Sequence, residues 1–150
     1  MRVFQGIDDV ESAVGEHLGH SDWLEITQER VNGFADATED HQWIHVDPER
    51  AAQGPFGAPI AHGYLTLSLL PKLGAELMRI DGVKLVINYG LNKVRFPQPV
   101  KVGAKVRAGG EIVSFERTNQ GAQLVVKYTI EIQGEDKPAC VAETVRVLVS

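Results

Sequence analysis

Between Gly63 and Met78 the chain carries Leu65, Leu67, Leu69, Leu70, Leu73, Leu77 and Met78, which fall on nearly every side of a helix. A helix that is apolar all round has no face to offer water and must be enclosed by the rest of the chain. The spacing therefore predicts a buried helix beginning just after Gly63 and running to about Met78, bent at Pro71, which cannot donate to the carbonyl of Leu67. Beyond it the period changes. Lys84–Asn88, Asn92–Phe96, Lys105–Val113, Gln123–Ile132 and Val141–Val149 are strand-like runs rich in Val and Ile. Pro97-Gln98-Pro99, Thr118-Asn119-Gln120-Gly121 and Gly134-Glu135-Asp136-Lys137-Pro138 separate them. Alternation is clearest from Leu124 to Ile132, where one face is apolar and the other mixed. Short turns between strands favour antiparallel pairing, so an α+β design follows in which an antiparallel sheet curls around the apolar helix.

At 150 residues, without internal repeats or a Gly/Ser linker, the chain reads as one domain over residues 1–150. A content of 43% apolar and 23% charged residues excludes disordered and collagen-like classes. The net charge of −5, with no run of Lys or Arg, gives no footprint for a nucleic-acid partner. Tyr64–Met78 is interrupted by Pro71, Lys72 and Glu76, and it is shorter than the roughly 18 residues of a membrane span, so no membrane partner is expected. The first residues lack an apolar signal core and turn acidic at Asp8-Asp9. The one cysteine, Cys140, has no disulfide partner within the chain and reads as a core thiol. Together these features predict a cytoplasmic protein.

The first half holds the candidate chemistry. Thr27 can cap a helix whose Val31, Phe34, Ala35 and Thr38 share one face. Asp47-Pro48-Glu49-Arg50 starts a second helix, which Gly54 is placed to stop. Asp40 and His45 lie on the polar and aromatic connection between them, which reads as non-helical. Side chains so spaced can converge, as a base and an acid sharing one water must. They equally suit a capping aspartate and a satisfied, half-buried ring, and spacing leaves both readings open. Gly63 would present an unpaired N–H at a buried helix start, able to stabilise a carbonyl oxygen gaining charge, or would only let the chain turn. His41, His45 and His62 raise a metal reading, with His41 and His45 in H-x-x-x-H spacing. Gln42 replaces the glutamate base and turn signals flank the segment, which argues against metal. Arg95 could face a ligand's phosphates from a strand end, or lie solvated on the outer face. Neither a Gly-x-Ser-x-Gly elbow nor a phosphate-cradling glycine loop is present.

Three blocks carry a resemblance. Phe34-Ala35-Asp36-Ala37-Thr38-Glu39-Asp40-His41-Gln42-Trp43-Ile44-His45-Val46-Asp47-Pro48 resembles the signature of the MaoC-like dehydratases, the (R)-specific enoyl-CoA hydratases. Pro59-Ile60-Ala61-His62-Gly63 is similar to their second motif, and Asn88–Phe96 with Pro99-Val100 and Gly103 to their third. Trp43, where proline is usual, looks like the branch that includes nodulation protein N; Gln42 stands for asparagine and Glu39 for glycine. The resemblance implies a hot-dog fold, a curved antiparallel sheet around a long central helix, and a homodimer. It also implies reversible syn hydration of trans-2-enoyl-CoA to (R)-3-hydroxyacyl-CoA, in fatty acid metabolism. Asp40 and His45 would be catalytic, Gly63 the oxyanion hole, and Gln42 and Ser68 supporting residues. Arg95, Leu65 and Leu69 would contact the acyl-CoA substrate, with Leu73 continuing the wall. No metal or other cofactor is implied, because the thioester itself acidifies Cα. An acyl-CoA thioesterase and a non-catalytic acyl-CoA-binding module are the alternatives.

Overall fold

A computed structural model describes residues 1–150. The chain opens with β1 (Arg2–Gln5), α1 (Ile7–Glu11), β2 (His17–His20) and β3 (Leu24–Glu25). The helices α2 (Gln28–Thr38), α3 (Trp43–Val46), α4 (Pro48–Ala52), α5 (Gly63–Ser68) and α6 (Leu70–Gly74) follow. The strands β4 (Met78–Asp81), β5 (Leu85–Arg95), β6 (Lys105–Thr118), β7 (Gly121–Ile132) and β8 (Cys140–Val149) complete it.

The main sheet is antiparallel, in the order β2-β6-β7-β8-β5, with β3 added beside β2 on β6. On β7 the alternation read from the sequence is realised: Leu124, Val126, Tyr128 and Ile130 are all fully buried, while Lys127 is exposed. That inner face packs on Leu65, Leu69, Leu70, Leu73 and Leu77 in one continuous core. Each leucine so buried stabilises the fold by about 2 kcal/mol. This is the sheet-around-helix architecture of a hot-dog fold.

Three sequence expectations need correction. The inner helix is broken, not bent. Pro71 cannot donate to the Leu67 carbonyl, so α5 closes instead with capping N–H bonds to Leu67 O and, from Leu69 N, to Thr66 O (3.2 Å), and α6 ends at Gly74. Met78 instead begins β4, which pairs in parallel with β1 as a separate two-stranded sheet carrying Phe4 into the core. Nor is the helical layer buried all round, since Tyr64 and Lys72 are exposed. Second, Lys84–Asn88 and Asn92–Phe96 are not two strands. They join in β5, whose register slips against β8 at Asn88/Gly90 and Leu91/Lys93, so Tyr89-Gly90 is a bulge that mimics a turn. Third, the connection between α2 and α4 contains a helical turn, α3. No helix is long and apolar enough to cross a membrane.

The β6–β7 hairpin turns at the predicted Thr118–Gly121 segment. Gly121 has φ of 152°, and a Cβ there would stand 2.2 Å from the Leu148 carbonyl oxygen. Gly121→Ala is accordingly expected to cost about 3 kcal/mol, read as a lowered urea midpoint. An unchanged midpoint would mean the hairpin closes in some other way.

Candidate active site

Asp40 is positioned by the end of α2. That helix starts where the sequence places it, with Thr27 Oγ1 accepting from Arg30 N (3.1 Å), and buries Val31 and Ala35. It ends on Glu39, whose φ of 63° is left-handed. This is the position where the resemblance has glycine; a side chain there costs about 1 kcal/mol. The reversal sets Asp40 on an exposed rim, where its Oδ1 accepts from Gln42 N at 3.4 Å.

His45 is positioned from three sides. It lies on α3, 6% exposed, and its Nδ1 meets the Ile60 carbonyl at 2.6 Å. A carbonyl only accepts, so Nδ1 carries the proton and Nε2 is free. Its own carbonyl accepts from Gln28 Nε2 at 2.8 Å, tying α3 to α2. Just after it, Asp47 caps α4 by accepting from Arg50 N (3.2 Å), as predicted. Burial is the main cause that pushes the His45 pKa below its ordinary 6.5. The Ile60 carbonyl raises it, His62 lowers it further, and Asp40 pulls it back up.

His62 and Gly63 arrive on a segment pinned to the chain after β5. Ala61 N donates to Val100 O (2.8 Å) and Val102 N to Pro59 O (2.9 Å). His62 is buried; its Nε2 donates to the Asp40 carbonyl at 3.0 Å and its ring stacks on His45 with centroids 3.8 Å apart. Gly63 opens α5, is exposed, and its N–H makes no hydrogen bond within the chain. A cavity of about 230 Å³ lies here, walled by His45, Ile60, Gly63, Thr66 and Phe96 among others. Asp40, His45 and His62 each bring a ligand-type atom within 4.8 Å of the others, a spacing that a small cation could also span.

The structure thus gathers Asp40, His45 and Gly63 and adds Gln28, Ile60 and His62. In the sequence His62 had only the disfavoured metal reading; Gln28 and a backbone carbonyl leave no sequence signal. Other expectations fall away. Ser68 does not support Asp40: its hydroxyl donates to the Leu65 carbonyl (2.7 Å), and it lines a different cavity, with Leu67 and Asn88. Leu65, Leu69 and Leu73 are core and wall neither cavity; the apolar lining near the pair is Phe56, Ile60, Ala61 and Phe96. Gln42 acts through its backbone N–H, and its side-chain amide makes no hydrogen bond. Arg95 is exposed, one residue before Phe96, with its guanidinium on the Val94 carbonyl (2.8 Å). His41 is outside the cluster, paired with Asp36 at 2.9 Å. Cys140 is buried and its thiol is pushed up to about 11, an inert core thiol as expected.

A curved sheet around a broken inner helix defines a hot-dog protein, here with an aspartate and a histidine gathered at the start of that helix. The chain belongs to the MaoC-like dehydratase family, its residues 9–134 matching the MaoC like domain. It is 59% identical over 146 residues to 3-hydroxyacyl-thioester dehydratase Z of Mycobacterium tuberculosis (strain ATCC 25618 / H37Rv), covering 97% of each chain. Nodulation protein N of Rhizobium leguminosarum bv. viciae is 46% identical over 145 residues, 93% of this chain and 89% of that one. Among solved structures, the (R)-hydratase from A. caviae involved in PHA biosynthesis is similar with a TM-score of 0.74. That pair is 30% identical, covering 90% of this chain and 96% of the other.

An NMR titration of the His45 ring is expected to give a value below 6.5. Because the folded ring resists the proton, the unfolded chain takes it first. Stability from this group is therefore lost as pH falls through 6.5 toward the lower folded value. A folded value at or above 6.5 would mean that the attraction of Asp40 outweighs burial.

Proposed function

We propose that this chain catalyses the reversible syn addition of water to a trans-2-enoyl-CoA, giving the (R)-3-hydroxyacyl-CoA. The observation that carries this reading is the meeting of the Asp40 carboxylate and the His45 imidazole within 4.8 Å, beside the unpaired N–H of Gly63. The name of the mycobacterial dehydratase supports the same chemistry, written in the direction of water loss.

The geometry divides the labour. Asp40 and the free Nε2 of His45 are both acceptors, and one water has two protons to offer them. As the water oxygen attacks Cβ, Asp40 takes a proton and negative charge collects on the thioester oxygen. The Gly63 N–H receives that oxygen; α5 is only six residues long, so the donor itself matters more than a helix dipole. The proton passes from Asp40 through Nε2 of His45 to Cα on the same face. A His45 that is neutral near pH 7 suits this relay, since only the neutral ring has a free Nε2. Phe56, Ile60, Ala61 and Phe96 shelter the start of the acyl chain.

Loss of enoyl absorbance with crotonyl-CoA, giving the (R) product, tests this directly. Asp40→Asn and His45→Gln should each lower kcat by about a thousandfold. Release of free thiol would identify a thioesterase instead, and tight binding without turnover a binding module.

We also propose a homodimer built on β5. This strand pairs only with β8, and it exposes Leu85, Val86, Ile87, Tyr89 and Leu91 along an unpaired edge. Such an edge invites a second copy, and two-fold symmetry lets the strand pair with itself. Sedimentation should give twice the chain mass, and Val86→Lys with Ile87→Lys should give one chain mass. A monomeric wild type would remove this assembly.

A further inference from the structure

His62 is the buried ring to which the proposed reaction assigns no step. It is 3% exposed. Its Nε2 donates to the Asp40 carbonyl (3.0 Å), one face lies on His45 at 3.8 Å with planes 22° apart, and Phe34 tilts against it at 4.9 Å. Nδ1 is buried without a partner. Such an atom has lost its water without gaining a partner, so a ring needed only to fill space would be better as phenylalanine. We propose that His62 is the positioning residue of the Asp40–His45 pair, one nitrogen holding the backbone of Asp40 while its face holds the ring plane of His45.

The two contacts supply what each partner lacks. Asp40 is exposed on a bend, and the bond from His62 is its shortest hydrogen bond; the other, from Gln42 N, is 3.4 Å. His45 is held by Ile60 at Nδ1, which sets the direction of that nitrogen. Stacking on His62 at 3.8 Å backs the ring face as well, so its plane and the aim of Nε2 are both held. A misplacement of about 1 Å in such a group can cost about a hundredfold in rate.

The charged or titratable groups that face His45 are Asp40, from the bend after α2, and His62, from the segment before α5. Gln28 on α2 and the Ile60 carbonyl are polar and uncharged, and Phe56, Ala61, Thr66 and Phe96 do not titrate. Removing His62 therefore removes an influence that holds His45 down and leaves Asp40, which pulls it up.

This assignment rests on the hydration reading, so two readouts are taken on the full chain. With crotonyl-CoA, His62→Leu should lower kcat about a hundredfold with KM within about threefold. His62→Gln keeps a donor and His62→Phe keeps a ring face; each should recover about tenfold of that loss. Separately, the NMR titration of His45 should move upward in His62→Phe and His62→Leu, and the acid limb of the rate profile with it. Wild-type-like kcat in a folded His62→Leu would overturn the proposal. So would a rate loss that only follows the unfolded fraction, with the His45 titration unmoved. If the wild type hydrates no enoyl thioester, the hydration reading fails by itself. The His45 titration then still decides whether His62 positions the pair.

Discussion

When the Ile60 carbonyl accepts the Nδ1 proton of His45 at 2.6 Å, it joins two parts of the chain that otherwise have little reason to meet. The Ile60 N–H in turn donates to the Ile44 carbonyl (3.0 Å), so the segment before α5 and the turn of α3 are bonded in both directions. Ile60 also bridges to Lys101, with Ala61 and Val102 making the flanking bonds. Through these, the His45 ring is referenced to the segment that leads into β6. In a buried setting each bond is electrostatically stronger than at the surface, and breaking one leaves an orphaned partner. The tautomer follows from the same contact: Nε2 is free because Nδ1 is committed.

Two adjacent imidazoles inside an apolar core carry a desolvation cost that the fold must offset. It does so with two backbone carbonyls, those of Ile60 and Asp40, each accepting one ring proton. For His45, burial favours the neutral ring and outweighs the Ile60 carbonyl, which raises the pKa by accepting a ring proton. The aspartate is treated in the opposite way. It stands on the rim in reach of water, its backbone held by His62 at 3.0 Å and its side chain only by the longer bond from Gln42 N. An exposed carboxylate and a buried ring thus lie within 4.8 Å of each other in opposite surroundings.

Much of this arrangement was legible in the sequence, for identifiable reasons. The β7 alternation, the Thr27 and Asp47 caps and the Thr118–Gly121 turn are local patterns, and each is found where the residues place it. Asp40, His45 and Gly63 were legible because their motifs are contiguous. Tertiary geometry decided the rest. The inner helix ends at Gly74 because β1 recruits Met78–Asp81 into a parallel pair, a long-range event that helical spacing does not encode. Ser68 was placed by the resemblance, and Leu65 and Leu69 as an apolar wall of the inner helix. In the fold Ser68 lines the cavity beside Asn88 and the two leucines lie in the core. Gln28 acts from another helix on a backbone atom, which no motif records.

The Gln42-Trp43 pair shows how the loop keeps its shape without the usual Asn-Pro. Trp43 is the first residue of α3, where a proline would be tolerated because that N–H has no helical partner, and where a proline ring would fix φ directly. Trp43 reaches a comparable restraint through packing. Arg50 stacks over its ring at 4.3 Å, and its far edge closes on Gly54, where an added Cβ would stand 3.0 Å from the ring. The stop signal of α4 is therefore also the seat of Trp43, and the segment carrying His45 is held by α4 from below as well as by Ile60 from the side. Gln42 then needs only its backbone N–H to touch Asp40, and its amide is left free. A side-chain anchor stands where the motif usually has a covalent one, so the spacing of Asp40 and His45 in this chain depends on Arg50 and Gly54, residues outside the motif itself.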